Sequence, residues 1–574
     1  MDELVLPHGG RLAVRMAGPD RKAELTAVLH ELPFWDLTAR QQHDLGLILN
    51  GGFSPLQGFL DERDYASVVD RMRLADSRLW PIPVVLDVDQ NAGERLSKGE
   101  RLALRDPEGM ILAVMNISAV WQPDRELEAQ AVFGSTDMNH AGVRYLLRDT
   151  GTYYVGGDVE GLEEPAYHTF RDLRQSPSEL RRLFEGRGWS RIVAFQTRNP
   201  MHRVHYELTR RAMERLDAKL LLHPVVGPTK PGDLDSYVRI RGYRALLGHY
   251  PTDSAILSLL PLAMRMAGPR EAVWHAIIRK NYGCTHIIVG RDHAGPGNGP
   301  DGNPYYAPYA AQEMMRDCQE EVGVRMVPFE ELVYVPEVNG YVPAGDVQHG
   351  ASPLTLSGTD LRHRLERGLP IPDWFSFPEV VAELRSAYPE RSERGLVLFF
   401  TGLPAAGKST LAKALLAKLM ERDHRSATLL DGDIARKFLS SELGFSRAHR
   451  DLNILRLGFV ATEVARARGI AICSAIAPYD STRKAVREMA SQSGGFVLVH
   501  VATPTEVCEQ RDRKGNYAKA RKGLTKGFTG IDDPYEVPSD AEVVLDLTER
   551  SPENAAEEIL RYLIAEGYVR RTGA

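Results

Sequence analysis

The stretch "GLPAAGKST", residues 402–410, spaces Gly402, Gly407, Lys408 and Ser409 as G-x-x-x-x-G-K-S. That spacing suits a phosphate cradle. Backbone N–H groups at a helix start face the anion, the lysine reaches the β- and γ-phosphates, and the serine hydroxyl can hold Mg²⁺. Some twenty residues on, "LLDGD" brings Asp431 and Asp433 to the end of an apolar run. One carboxylate there can hold Mg²⁺ or its waters, and the other can accept a hydroxyl proton. No N-K-x-D guanine signature occurs, which argues against a GTPase. A second cluster lies upstream in "FQTRNPMHRVHYEL". His202 and His205 sit at i and i+3 and so share one face of a helix start. They suit hydrogen bonds to a triphosphate whose charge moves in the transition state. Gln196 and Arg198, a few residues earlier, suit an anion. The alternative for such a pair is a surface or metal-binding role; no third Cys or His stands nearby in sequence to complete a metal site. In "VGRDHAGPG", Gly290–His293 follow a strand pattern and precede a Gly-Pro-Gly turn that allows close approach to a ligand.

These residues need strand ends and helix starts to hold them. The 574-residue chain has room for several domains, and its 43% apolar and 26% charged content is ordinary for a globular protein. A net charge of −6 disfavours bulk nucleic-acid binding. The N-terminus lacks a signal-peptide core, and no apolar run approaches the ~18–20 residues of a membrane span. Cys284, Cys318, Cys473 and Cys508 are scattered, which suggests neither a disulfide framework nor zinc and fits a reduced, cytoplasmic setting.

The first ~165 residues read as β-rich. "RLALRDPEGMILAVMNISAVW" predicts two strands around a type I turn at Asp106–Gly109, and "RLWPIPVVLDV" predicts another strand. From Phe170 strands and helices alternate, which predicts a parallel α/β sheet with ligands at the strands' carboxyl ends. "SPSELRRLFEGRGW" reads as a capped helix, "RIVAFQ" as a buried strand, and "NPMHRVHYELTRRAMERL" as a helix. "SAYPERSERG", 386–395, breaks the pattern and places the main boundary. A second α/β unit starts at "LVLFF", followed by a helix with Leu411, Leu415 and Leu419 on its core face. Ser551 and Pro552 open the last helix.

Within 395–565, "LDGDIARKFLSSELGFSRAHRDLNILRLGFVA", "AIAPYDSTRKAVRE" and "EVCEQRDRKGNYAKARKGLTKGFTGIDDPYEVP" resemble adenylyl-sulfate kinase. That family moves the γ-phosphate of ATP to the 3′-hydroxyl of adenylyl sulfate. The resemblance implies ATP held by Gly402, Leu403, Pro404, Ala405, Ala406, Gly407, Lys408, Ser409 and Thr410. It makes Asp433 the base and, with Ser409, the Mg²⁺ partner, assisted by Asp431. It gives the acceptor to Arg436, Arg450 and Asn453, its adenine to Phe445 and Phe528, charge neutralisation to Lys526 and a pocket wall to Ile476. Guanidinium forks and aromatic faces suit those tasks. Two departures stand out. Ala477 replaces a serine sometimes proposed to carry phosphate, which leaves direct in-line transfer. Pro404, in a loop that is commonly Ser/Gly-rich, has no N–H to give.

Over 20–385, "LTARQQHDLGLILNGGFSPLQGFL", "PVVGPTKPGDLD", "PLAMRMAGPREAVWHAIIRKNYG" and "LSGTDLRHRLERGLPIPDWFSFPEVV" join the two upstream clusters in resembling ATP sulfurylase. This implies attack of sulfate on the α-phosphorus of ATP with release of pyrophosphate. Gln196, Arg198 and the Ala294 backbone would bind sulfate, and Thr197 and Asn199 would position the α-phosphate. His202 and His205 would stabilise the leaving pyrophosphate. Gly290, Arg291, Asp292, His293 and Val327 would hold the adenosine. Ser236 stands where relatives usually carry His.

The two resemblances together imply a multidomain α/β protein. A β-rich, PUA-like domain covers 1–167, a Rossmann-like nucleotidyltransferase domain 168–325, a small α/β domain 326–390 and a P-loop kinase domain 391–574. They imply a bifunctional enzyme that makes adenylyl sulfate and then phosphorylates it, with ATP, sulfate and Mg²⁺, as a cytoplasmic homo-oligomer without zinc, nucleic acid or membrane partners. Two alternatives stay open. One is a working kinase on a silent sulfurylase scaffold, suggested by Ser236. The other is a sulfurylase whose C-terminal domain only binds a regulatory nucleotide, which the intact Lys408, Ser409 and Asp433 oppose.

Overall fold

A computed structural model describes residues 4–227, 235–328 and 331–570. The chain falls into two compact units, 1–356 with 372–384, and 357–371 with 385–574. The segment 326–390 is therefore shared between them.

In the first unit six strands form a mixed sheet: β1 Phe34–Asp36, β2 Gly58–Phe59, β3 Leu86–Val88, β4 Arg101–Arg105, β5 Ile111–Trp121 and β6 Tyr153–Gly161. Their order is β1-β4-β5-β6-β2, with β3 also on β6. The predicted β4–β5 hairpin is present and antiparallel. Asp106 Oδ1 accepts from the backbone N–H of Glu108 (3.0 Å) and Met110 (2.8 Å), and Gly109 takes the turn's φ of +89°. The strand expected over "RLWPIPVVLDV" shrinks to Leu86–Val88. Pro81 and Pro83 have no N–H for a ladder.

The same unit holds a parallel sheet of β7 Ile192–Phe195, β8 Lys219–Leu222, β9 Ala255–Leu257, β10 His286–Val289 and β11 Arg325–Pro328. Its order is β11-β10-β7-β8-β9, which sets the loops after β7 and β10 side by side. The helix Pro177–Gly186 opens on a capping box between Ser176 and Glu179. The helix expected from Asn199 starts only at Arg203, with His202 as its N-cap, leaving 196–202 as a loop at the end of β7. Pro200 keeps Asn199 out of the helix, since it disfavours α geometry at the residue before it, and His202 in extended geometry sets the start at Arg203. The helix Gly268–Asn281 is buried along most of its length. A small antiparallel pair, β12 Leu332–Val335 and β13 Gly340–Pro343, follows.

The second unit is built on a parallel sheet of β14 Leu396–Thr401, β15 Ala427–Asp431, β16 Ile470–Ser474, β17 Gly495–Val501 and β18 Val543–Leu545, in the order β15-β16-β14-β17-β18. All six residues of β14 are buried. The helix Lys408–Arg422 turns Leu411, Leu415 and Leu419 into the core against the helix Pro552–Ala565, whose N-cap is Ser551. The carboxyl ends of β14, β15 and β16 deliver Gly402, Asp431 and Ser474 to one edge, the expected ligand edge of such a sheet.

Candidate active sites

In the second unit, β14 runs directly into the phosphate loop. Gly402 (φ +150°), Ala405 (φ +58°) and Gly407 (φ +102°) bend it back on itself. A Cβ at Gly402 would lie 2.5 Å from the Val501 carbonyl oxygen, so no other residue fits. Lys408 is buried beneath the loop. Its Nζ donates to the carbonyls of Gly402 (2.9 Å) and Leu403 (2.7 Å), and burial pushes its pKa down to about 8. Ser409 Oγ donates to Asp431 Oδ2 at 2.7 Å and lies 3.1 Å from Ser474 Oγ. Asp431, not Asp433, therefore meets the serine. Asp431 also caps the next helix, accepting from the Asp433 N–H at 3.0 Å, while the exposed Asp433 carboxylate pairs with Lys514 at 3.0 Å. The hydroxyl–carboxylate pair is a hard oxygen donor set, the kind that Mg²⁺ takes.

These groups border a cavity of about 600 Å³. Pro404, Ala405, Lys408, Ser409, Asp431 and Asp433 line it from the sheet edge, and Arg436, Phe445, Arg450, Asn453, Ile476 and Phe528 from the sides. Asn453 Oδ1 is buried with no hydrogen-bond partner among the described residues, an acceptor held ready for a ligand. Phe445 is 68% exposed, not a core residue, and carries the Arg436 guanidinium 4.4 Å from its ring centre. Phe528 leans edge-on against Tyr517. Arg450 is engaged with the protein itself: it donates to the carbonyls of Phe445 and Gly527, to Thr529, and to Asp533 at 2.9 Å. It thus braces the loop that carries Phe528. Gly402, Leu403, Ala406, Gly407, Thr410 and the exposed Lys526 do not line this cavity.

Sequence reasoning missed Arg511, Arg513 and Lys514, which form a cationic wall, and Asn516 beside them. The signal was the run "RDRKGN", read only as part of a longer block. Pro404 gains a structural role, since its carbonyl accepts from Tyr517 OH at 3.0 Å. Ala477 is buried at φ +43°.

In the first unit a cavity of about 430 Å³ lies between the loops after β7 and β10. Arg198, Asn199, Arg291, Asp292 and His293 line it, with Gly268, Gly297, Asn298 and Tyr306. Arg198 donates to Met266 Sδ (2.9 Å) and the Gly295 carbonyl (3.1 Å). Thr197 Oγ1 bridges the N–H and carbonyl of Asn199, whose carbonyl also accepts from Tyr243 OH at 2.7 Å. Gln196 Oε1 is buried with no partner among the described residues. Gly290 follows β10, Arg291 pairs with Asp292 at 3.4 Å, and Ala294 sits at φ +53°.

His202 and His205 do not line this cavity. Burial pushes His202 down to about 3 and His205 to about 4, so both rings are neutral at pH 7. His205 Nδ1 accepts from the His202 N–H at 3.1 Å, which puts its proton on Nε2. His202 packs on Phe375 and meets Ser376 Oγ through Nδ1 at 3.1 Å. Val327 lines a separate cavity of about 320 Å³ beside Leu208 and Leu332. Ser236 opens the helix Ser236–Leu247; residues 228–234 of "PVVGPTKPGDLD" lie outside the described residues.

Behind His293 stands a pair that the residue patterns did not single out. His293 Nε2 lies 3.0 Å from His275 Nδ1, and His275 Nε2 lies 3.3 Å from Glu271 Oε1, a close contact not aligned as a hydrogen bond. Glu271 and His275 are fully buried. Their E-x-x-x-H spacing on the helix Gly268–Asn281 was the available signal.

Comparison with known proteins assigns three regions. A PUA-like domain model matches residues 5–164, an ATP-sulfurylase model 171–387 and an adenylylsulphate kinase model 394–546. A sulfate adenylyltransferase of Mycosarcoma maydis is 49% identical over 98% of this chain and 99% of its own length. One from Emericella nidulans is likewise 49% identical, over 98% of this chain and 99% of its own. A solved structure described as a hexameric APS kinase from Thiobacillus denitrificans superposes with a TM-score of 0.81 at 38% identity, covering 99% of this chain and all of that one.

Proposed function

This chain belongs to the sulfate adenylyltransferase family, and from that premise we propose how its two cavities divide the chemistry. It carries both an ATP-sulfurylase and an adenylylsulfate kinase domain, and so is a transferase with two successive reactions. In the first, a sulfate oxygen attacks the α-phosphorus of ATP and pyrophosphate leaves. In the second, the 3′-hydroxyl of adenylyl sulfate attacks the γ-phosphorus of another ATP and ADP leaves.

The first step needs no general base, because sulfate is already an anion. Its catalysis is positioning and charge stabilisation. Arg198 and the loop backbone near Ala294 would hold sulfate, with the Gln196 amide N–H as a further donor, and Thr197 and Asn199 would place the α-phosphate. His205, a neutral Nε2–H donor, and His202 would meet charge as it moves onto pyrophosphate. Arg291, Asp292 and His293 would hold the adenosine, with Gly290 leading into their loop; Val327, which lines a separate cavity, is left out of that role. Ser236 at a helix start takes the place of a ring donor, and the first step is expected to proceed without it.

In the second step Lys408 and the loop amides would hold the β- and γ-phosphates. Mg²⁺ arriving with ATP would be held by Ser409 and by the Asp431 and Asp433 carboxylates, and it supplies charge neutralisation on the phosphate oxygens. Asp433, released from Lys514, would take the 3′-hydroxyl proton. Arg436 and Asn453 would grip the acceptor, and Phe445 and Phe528 would flank its adenine. The observation that carries the kinase reading is the Ser409–Asp431 contact above a buried Lys408, opening into a cavity with arginine and aromatic walls.

We also place the protein in a homo-oligomer. Ile434 and Phe438 share one face of the helix Gly432–Leu439, and Leu452 and Phe459 one face of the helix Arg447–Arg466 that packs on it. All four are exposed. The related hexameric kinase supports a second copy as their cover.

The test is one incubation of purified protein with ATP, Mg²⁺, sulfate and inorganic pyrophosphatase. The expected product is 3′-phosphoadenylyl sulfate. Lys408→Ala should stop the sequence at adenylyl sulfate, with the second step reduced at least about 100-fold. A wild-type protein that phosphorylates supplied adenylyl sulfate but makes none from sulfate would be a kinase on a silent scaffold. One that stops at adenylyl sulfate would carry a regulatory C-terminal domain.

A further inference from the structure

The helix Gly268–Asn281 places Glu271, His275 and Arg279 four residues apart, on one face, all fully buried. A buried carboxylate is costly unless it is satisfied. Glu271 is satisfied: Oε1 accepts from the Arg265 N–H and Oε2 from the Ala267 N–H, each at 2.9 Å. Burial resists its ionisation. The His275 ring and the two backbone donors outweigh that, and its pKa stays below the ordinary carboxylate range. The carboxylate therefore stands fixed 3.3 Å from His275 Nε2.

That fixed charge selects a tautomer. A negative oxygen beside Nε2 favours a proton on Nε2 and leaves Nδ1 of His275 as the lone-pair nitrogen. His275 Nδ1 faces His293 Nε2 at 3.0 Å, so the proton between them belongs to His293. A neutral imidazole with its proton on Nε2 offers a lone pair at Nδ1. Double protonation of His293 is opposed by burial and by Arg279 and Arg198 nearby. His293 lines the cavity, and its Nδ1 has no hydrogen-bond partner among the described residues.

We propose that Glu271 and His275 are positioning residues that hold His293 as the Nε2–H tautomer, so that its Nδ1 meets the bound nucleotide as a hydrogen-bond acceptor. The assignment of this cavity to ATP rests on the function proposed above; the relay itself rests on the geometry. An acceptor at this wall selects a ligand that brings a donor there. On ATP the donors are the 6-amino group of adenine and the ribose hydroxyls. A site built to satisfy a donor rejects an analogue lacking it, because the acceptor is then buried unpaired.

Two measurements on the full-length protein test this. The first needs no substrate. In ¹⁵N-histidine-labelled protein, with the His293 signals assigned by a His293→Gln variant, Nδ1 of His293 should resonate as an unprotonated ring nitrogen and Nε2 as a protonated one. A protonated Nδ1 overturns the proposal whatever the enzyme catalyses.

The second is the ratio of sulfurylase kcat/KM for ATP to that for inosine triphosphate, which exchanges the 6-amino donor for a carbonyl, and for 2′-deoxy- and 3′-deoxy-ATP. At least one analogue should be disfavoured by about 10- to 100-fold, and its identity names the donor. His275→Leu should erase that discrimination. His275→Asn, whose Oδ1 stands near the place of Nδ1, should keep it, and Glu271→Gln should weaken it. A variant series that loses rate equally on ATP and analogue, with the ratio intact, would reduce the pair to packing and overturn the proposal. If His275→Leu fails to fold, the contrast between His275→Asn and Glu271→Gln decides in the same way. A wild type that makes no adenylyl sulfate defeats the functional reading alone, since the tautomer measurement still stands.

Discussion

Lys408 is a cation buried beneath a loop and held there by two backbone carbonyls, and burial outweighs the pull of Asp431 and Asp433 to bring its pKa down to about 8. A triphosphate in the cradle favours the charged ammonium and raises the pKa again. Between about pH 8 and the bound value, the free protein holds less than one proton on Lys408 and the complex holds a full one. Nucleotide binding to the kinase domain should therefore take up protons in that window, and affinity should fall as pH rises through it. Isothermal titration near pH 8.5, in buffers of different ionisation enthalpy, measures the uptake directly. In Lys408→Ala the uptake should vanish; an unchanged value would assign it to another group. The place of Lys408, at a helix start beneath a tight loop, was legible in the sequence because G-x-x-x-x-G-K-S is a local pattern. The partner of Ser409 was not. Asp431 and Asp433 are equally spaced candidates in one dimension, and only the strand register at Asp431, paired with Ser474, turns the first of them onto the hydroxyl.

Elements explain which histidines stay neutral. His202, the buried N-cap of the helix Arg203–Leu216, and the half-buried His205 in its first turn stay neutral, and the first unit also buries His8 and His140, each brought to about 4. All four values lie below the ordinary histidine value near 6.5. Between that value and about 4 the unfolded chain binds more protons than the folded one. Stability is therefore complete above about pH 6.5 and is lost as pH falls towards 4, at about 1.4 kcal/mol per pKa unit for each ring. All six tryptophans, Trp35, Trp80, Trp121, Trp189, Trp274 and Trp374, lie in the first unit, so their fluorescence follows its melting alone. Its Tm should drop across that pH range, and His205→Gln should flatten the slope. A pH-independent Tm would contradict the buried neutral state. Element identity was legible where the signal is local, as at Ser176, Ser551 and the Asp106–Gly109 turn. It failed where proline acts on its neighbours: the strand before Leu86 and the helix before Arg203 were both drawn too long. The Glu271–His275–His293 series escaped because it joins residues on a helix to a loop eighteen positions on, a distance that no period encodes.

At the scale of the whole molecule, the two reactions belong in one chain because the first is uphill and the second consumes its product. That logic needs only both domains, and "QTRNPMHRVH" and "GLPAAGKST" made both legible. Assembly was legible only by analogy. The apolar residues that suggest it are interleaved with charged ones in sequence, and gather on shared faces only once Gly432–Leu439 and Arg447–Arg466 are helices. Phe438 is 75% exposed, an expensive arrangement for a large apolar side chain unless another surface covers it. Burying one such ring is worth about 1.5–3 kcal/mol, and a twofold interface counts each substitution twice. Phe438→Glu or Phe459→Glu should therefore weaken self-association by at least about 100-fold, read as a shift to smaller species in sedimentation velocity at micromolar protein. Each variant should still convert adenylyl sulfate, since neither ring lines the cavity. A wild type that sediments as a monomer, or variants that assemble like the wild type, would remove this face from the assembly.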